Sequence, residues 1–342
     1  MENKKEKVAI VGAGTVGLYL AWKLSKLGHK VAVFEKNQKI ENKTCSGLIS
    51  ERLRNFIPLD DSFAEHRIDS CLIHFPKKTI ALNFKLNFLT IDRQKLNEKI
   101  TELARKAGSE IIFGKPINEI PSGFDPHTIT KTNFIKQDAS NSSSLFGVGV
   151  NKIIGCDGAL SKIREKLSLP QSRLQLGIQV VLPQPNSSKY VETWPVKNGF
   201  CWKIPRGKRT EYGALGSLNS VKKDFENFCQ KQKIDFDQSE LKSALIPQGL
   251  ILPKDKNITL CGDAAGLTKP WSGGGVIWGL TAADILIKNF PNFEKYCKET
   301  KRFFGPKIFW GSFSNSLVYF FGNNLPFLIP SKNSVDNDFL FS

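Results

Sequence analysis

No Cys-x-x-Cys pair occurs in this 342-residue sequence. The seven cysteines stand apart at 45, 71, 156, 201, 229, 261 and 297, and their odd number excludes a complete disulfide framework. No metal site is expected. Acidic residues are scarce: 32 Asp and Glu against 49 Lys and Arg, a formal charge of +17. A plain basic surface explains that excess, and so does an anionic partner. The lysines are scattered, with no long Lys/Arg block and no nucleic-acid motif. No nucleic acid is therefore expected, and a phosphorylated ligand or an acidic membrane surface ranks above it. Long apolar runs are missing too. The run VAIV behind the basic N-terminus breaks off at Gly12, too short for a signal peptide. In the aromatic tail the longest unbroken apolar run, Leu317 to Phe321, has five residues, where a membrane span needs about 20. A reduced, cytoplasmic protein is expected, with peripheral attachment to the inner face of the membrane left open.

What is present reads as a folded domain protein. Hydrophobic residues make up 40% and charged residues 24%, and the length suffices for about two or three domains. KVAIVGAG predicts a buried parallel strand and a tight turn. Gly12, Gly14 and Gly17 complete G-x-G-x-x-G, followed by Leu20, Leu24 and Leu27 at helical spacing and Gly28 as a helix stop. KVAVFEK predicts a second strand ending at Glu35. Each part suits a dinucleotide. Gly12 permits the turn, Gly14 lets backbone approach a pyrophosphate, and Gly17 lets helix and strand pack. The helix start at Thr15 and Val16 offers free N–H groups to phosphate, and Glu35, with Lys36 beside it, meets the ribose. This motif does not separate FAD from NAD.

Three later features separate them. IDRQKL sets Arg93 between an apolar strand and a helix. KIIGCDGALSKIREKL sets Asp157 and Gly158 after a strand, ahead of a helix carrying Arg164. ITLCGDAAG sets Gly262 and Asp263 after another strand. In this order they resemble the flavoprotein monooxygenase and reductase superfamily, whose later FAD motifs are a DG and a GD pair. The stretch GDAAGLTKPWSGGGVIWGL closely resembles the geranylgeranyl reductase family, which carries GDAAG, a Lys-Pro and a glycine triplet.

The resemblance implies FAD as cofactor. Asp263 would accept from the ribityl chain. Gly273, Gly274 and Gly275 would let backbone lie against the isoalloxazine ring. The helix from Val276 would aim its N-terminus at the edge that turns negative on reduction. TCSGLIS resembles the family's Cys-containing loop and brings in Cys45, Ser46 and Gly47; Ile117 would contact the cofactor through its backbone. GFCWKIPRG resembles the aromatic-x-Trp-x-aromatic-Pro-Lys substrate signature, with Phe200 for Tyr, Ile204 for Phe and Arg206 for Lys. Phe200, Trp202, Pro205 and Trp271 are the implied substrate contacts.

The expected fold is α/β: a Rossmann-like FAD-binding domain (GR2-type) with an inserted antiparallel β-sheet substrate domain and C-terminal helices. Flavin-domain pieces are expected at 1–60, 90–170 and 250–300, the substrate domain at 61–89 and 171–249, and a C-terminal aromatic segment at 301–342. The alternation of Ile80, Leu82, Phe84, Leu86 and Phe88 predicts a strand of the insert, and SNSSS at 140–144 a polar loop. In the tail, Phe309, Phe313, Leu317 and Phe321 recur every four residues, with Trp310 and Phe320 beside them. Burial against the protein, docking on a membrane interface and cover for a lipid tunnel all fit that stripe.

The implied reaction saturates prenyl-chain double bonds of an isoprenoid lipid, diphosphate or quinone. An isolated alkene is unactivated, so hydride from reduced flavin must be matched by a nearby proton donor in a site that excludes water. Cys45 is the candidate for that catalytic role; packing or cofactor contact is the alternative. No second dinucleotide motif is visible, so the external electron donor is NAD(P)H, ferredoxin or another reduced carrier. Two other readings stand: a flavin-dependent monooxygenase or halogenase, since CWKIP is similar to the halogenase W-x-W-x-I-P, and a non-catalytic flavin-binding membrane-associated protein.

Overall fold

The computed structural model describes residues 5–40, 44–117 and 150–339. The SNSSS loop lies outside them. Strand β1, Lys7–Val11, is buried along nearly its whole length, and helix α1, Thr15–Lys26, begins directly after the glycine turn. Leu20 and Leu24 face the core as expected, whereas Leu27 is exposed, because the helix ends there and Gly28 (φ 82) turns the chain away. Strands β2 (Lys30–Phe34), β6 (Glu110–Ile112), β7 (Lys152–Gly155) and β13 (Ile258–Leu260) join β1 in a five-stranded parallel sheet of order β13-β7-β1-β2-β6. Helices α2 (Arg93–Lys106), α3 (Lys162–Lys166) and α5 (Val276–Asn289) connect or cover these strands. This is the Rossmann-like half of the fold. Its apolar strands are continuous rather than alternating because both faces are covered.

The second sheet has nine strands. Besides β3 (Leu48–Ser50), β4 (Ala64–Phe75), β5 (Lys78–Ile91) and β8 (Arg173–Leu182), it holds β9 (Tyr190–Val196), β10 (Gly199–Pro205), β11 (Thr210–Gly216), β12 (Lys242–Gln248) and β14 (Lys332–Val335). It is antiparallel except where β4 meets β9 and β5 meets β14, which run parallel. Ile80, Leu82 and Phe84 follow the expected alternation. A register shift between Ile68 and Ser70 on β4 then breaks it, and Leu86 is exposed. Helix α4, Val221–Gln232, packs Val221, Phe225 and Phe228 against Ile178, Val180 and Ala214 on one face. Side chains alternate across a strand, so Cys201 lies under α4 while its neighbours Trp202 and Ile204 belong to the cluster with Ile68 and Phe88.

The C-terminal part differs from the expectation of helices alone. Helix α6 is a single long element, Phe293–Asn324, opened by Asn292, whose side chain accepts from Lys295 N at 2.9 Å. The chain then returns as β14 along β5, with Lys332 opposite Ala81 and Val335 opposite Phe84. A four-residue strand after aromatic residues carries no periodic signal. No helix among the described residues is long and apolar enough to cross a membrane.

Candidate active site

The glycines of the first turn do three different things. Gly12 (φ 104) donates to Phe34 O at 2.7 Å, and a Cβ there would lie 2.4 Å from Cys156 O. At Gly17 a Cβ would lie 2.1 Å from Gly12 O, so this glycine sets how closely α1 meets the turn. Around Gly14 no atom comes within 4 Å of where a Cβ would be. The protein itself thus explains Gly12 and Gly17 but not the bareness of Gly14.

Arg93 opens α2 beside this bare face. Its Nη2 donates to Thr15 Oγ1, and Thr15 donates onward to Asn97 Oδ1 at 2.7 Å. Its Nε and Nη1 are buried and have no partner among the described residues. A guanidinium with two unpartnered nitrogens, tied through Thr15 to the bare glycine turn at a helix N-terminus, fits a pyrophosphate. On that observation the residues present fit the dinucleotide part of FAD. Glu35 stands at the end of β2 as expected. Its carboxylate accepts from Ala13 N at 2.8 Å and Asn37 N at 3.1 Å, which ties the acid to the loop. Lys36 is exposed, and Ile117 is packed half-buried on the core.

The DG and GD segments converge on the same turn. Asp157 caps α3: it accepts from Ser161 Oγ at 2.6 Å and from Lys162 N at 2.7 Å, while Gly158 beside it is bare. Arg164 is wholly buried and donates to Ala264 O at 3.0 Å, binding the two motifs together; burial pulls its pKa down from the usual value. Val16 packs against Gly262 and Gly279, where a Cβ would lie 3.1 Å and 2.6 Å from its Cγ2.

The glycine triplet closes the other end. Gly275 is the N-cap of α5 and no side chain caps it. A Cβ on Gly275 would lie 2.8 Å from Asp263 Oδ1, so the acid rests against the backbone that starts this helix. Gly273 packs on Leu215 of β11 and Ile246 of β12, which seats the loop on the second sheet. Lys269 of the Lys-Pro pair is buried and reaches Asp338 Oδ1 and Asn337 O, each at 3.2 Å. Asp338 also accepts from Ser50 Oγ and from Arg52 Nε, and its backbone oxygen accepts from Trp278 Nε1 at 2.8 Å. Trp271 stacks edge-on to Trp278 at 5.7 Å and lies against Gly311 of α6.

On the second sheet, Phe200 and Trp202 share a face with ring centroids 5.9 Å apart. The indole lies across Gly213, its partner on β11, and donates to Glu211 Oε1 at 3.0 Å. Glu211 is wholly buried. Burial pushes its carboxyl up, against the pull of Arg206 and of the indole N–H. Arg206 bridges Glu211 and Glu65, each at 3.0 Å, and also donates to Ser46 O. Gln179 donates to Cys45 O at 3.4 Å, and Gly47 N donates to Cys45 Sγ at 3.4 Å. Gly47 (φ 64) is locked beside Ile91, to which its oxygen bonds at 3.0 Å. The substrate signature and the cysteine loop are therefore joined through Arg206, and buried Pro205 ends the strand that carries it. Sequence reasoning missed Glu211 and Asp338. A lone acid in the apolar run EYGALG was a usable signal for the first; nothing local marks the second.

Among known proteins, residues 7–62 match the family described as FAD dependent oxidoreductase. Geranylgeranyl diphosphate reductase of Rhodobacter capsulatus is 26% identical over 286 residues, covering 79% of this chain and 71% of the relative. Kynurenine 3-monooxygenase of Flavobacterium psychrophilum is 28% identical over 178 residues, 48% of this chain and 38% of that protein. The crystal structure of a geranylgeranyl bacteriochlorophyll reductase-like protein from Thermoplasma acidophilum superposes with a TM-score of 0.73 at 19% identity, covering 92% of this chain and 87% of the other.

Proposed function

We propose that this chain, a geranylgeranyl reductase-like, FAD-dependent oxidoreductase, saturates double bonds in the prenyl chain of an isoprenoid lipid, diphosphate or quinone. Bound FAD in its reduced form supplies the hydride. The protein's own residues do the rest. Gly12, Gly14, Thr15, Val16, Gly17 and Arg93 hold the pyrophosphate. Asp263 accepts from the ribityl chain, and the uncapped start of α5 at Gly275 and Val276 favours negative charge on the ring, because a helix N-terminus carries partial positive charge. Phe200 and Trp202 offer an apolar wall for a hydrocarbon. Cys45, in the loop tied to that wall through Arg206 and Ser46, is the proton donor or relay. The electron donor is external, and we place the reaction in the cytoplasm, next to the membrane that carries such lipids.

The observation that carries this reading is the joining of the glycine-triplet loop and the cysteine loop to one sheet, by Gly273 on Leu215 and Ile246 and by Arg206 on Ser46. A monooxygenase needs oxygen as co-substrate, whereas a reductase does not. Reduced protein mixed with geranylgeranyl lipid under anaerobic conditions should return to the oxidised flavin spectrum. Reoxidation only when oxygen is admitted, with oxygen uptake coupled to product, would favour the monooxygenase reading that the kynurenine 3-monooxygenase likeness keeps in view.

A further inference from the structure

We propose that the outward side of α6, continued by the turn Pro326–Leu328, docks this protein on the surface of an anionic lipid bilayer. Large apolar side chains are displayed along it: Phe309 is 64% exposed, Trp310 51%, Phe313 49%, Phe320 55% and Phe327 74%. A helix turns about 100° per residue, so Phe309, Phe313 and Phe320 fall within an arc of about 60°. Lys295, Lys298 and Arg302, all exposed, fall in the same arc on the first half of the helix. One face is thus basic at its start and aromatic at its end. No Asp or Glu occurs between Glu299 and Asp336, while Lys301, Arg302, Lys307 and Lys332 do.

The opposite side of α6 is fixed to the protein. Phe304 and Tyr296 are fully buried, Gly311 sits on Trp271, and Gly322 sits on Phe75. Tyr319 donates to Gly199 O, the first residue of β10, at 3.1 Å. The outward face is therefore held rigid. A bilayer against it lies one helix away from the strand carrying Phe200 and Trp202.

Charge decides the occupant. A second copy of a chain with formal charge +17 would bring a basic face against a basic face. Anionic headgroups instead take the lysines and Arg302, while the aromatic half enters the headgroup and acyl boundary. No helix among the described residues is long and apolar enough to cross a membrane, and the proposed contact is with the bilayer surface. The proposal goes beyond the reductase reading and is tested without turnover.

The test is co-sedimentation of the FAD-loaded full chain with vesicles of phosphatidylcholine alone or with added phosphatidylglycerol, at low and high salt. Binding to the anionic vesicles that weakens with salt is expected. The triple variant F309S/F313S/F320S should bind roughly tenfold or more weakly to both vesicle types, as apolar area is lost. The variant K298Q/R302Q should lose about fivefold per removed charge, on anionic vesicles only. Both should keep the parent's flavin content. A parent that stays in the supernatant with anionic vesicles at low salt overturns the proposal. So does either variant binding like the parent, or a solution dimer that the aromatic substitutions dissolve.

Discussion

Lys269 and Asp338 form a buried ion pair at 3.2 Å, with side chains 7% and 0% exposed. The pair joins the loop that precedes the glycine triplet to a segment near the end of the chain. The same carboxylate accepts from Ser50 of β3 and from Arg52, and the backbone oxygen of Asp338 accepts from Trp278 of α5. The start of α5 is therefore set by residues far from it in sequence.

Removing one partner of such a pair leaves a buried charge. Lys269→Met should cost about 3 kcal/mol or more in denaturant unfolding of the FAD-free protein. A loss under about 1 kcal/mol would show that Arg52 and Ser50 suffice to hold Asp338.

Gly14 and Gly17 make opposite predictions from the same motif. Gly17→Ala places a methyl 2.1 Å from Gly12 O and should prevent folding. Gly14→Ala meets no protein atom, so unfolding should stay within about 0.5 kcal/mol of the parent, while FAD affinity falls at least about tenfold. Equal FAD affinity in Gly14→Ala would mean that the pyrophosphate does not lie there.

Arg93 has two guanidinium nitrogens with no partner among the described residues. A charge-assisted hydrogen bond is worth about 1.5–3 kcal/mol, so Arg93→Met should weaken FAD binding roughly 10- to 100-fold. Fluorescence titration measures this, and an unchanged dissociation constant would remove Arg93 from the cofactor site.

Much of the fold was legible in the sequence. The first strand, the glycine turn and the three flavin segments carry local signatures, because each must form its own strand, turn and helix start. The substrate signature could be read as a stretch of residues, but its chemistry could not: Trp202 and Arg206 meet on Glu211, a partner defined only by strand pairing. Asp338 was invisible for the same reason. The aromatic stripe of α6 was visible as a stripe; that it faces outward followed only from where Gly311 and Gly322 seat the helix.

Two cysteines, Cys45 and Cys156, are half-buried, and desolvation raises the Cys156 thiol well above its ordinary value. Burial pushes Cys71, Cys201 and Cys261 up to about 12, and Cys229 to about 11. A thiol at 12 leaves on the order of one thiolate in ten thousand at pH 8. Cys45 is half-buried and should be alkylated first by iodoacetamide because the reagent can reach it, and bound FAD should slow it. Cys45→Ala should keep FAD and lower kcat about 100-fold if the thiol handles the proton. Unchanged turnover would reduce it to a packing residue.

The most direct measurement is anaerobic incubation of the dithionite-reduced, FAD-loaded protein with geranylgeranyl lipids and mass spectrometry of the lipid. The account predicts a gain of H2 per double bond, formed without oxygen and in step with flavin reoxidation. Lipid recovered unchanged beside flavin that stays reduced would contradict it.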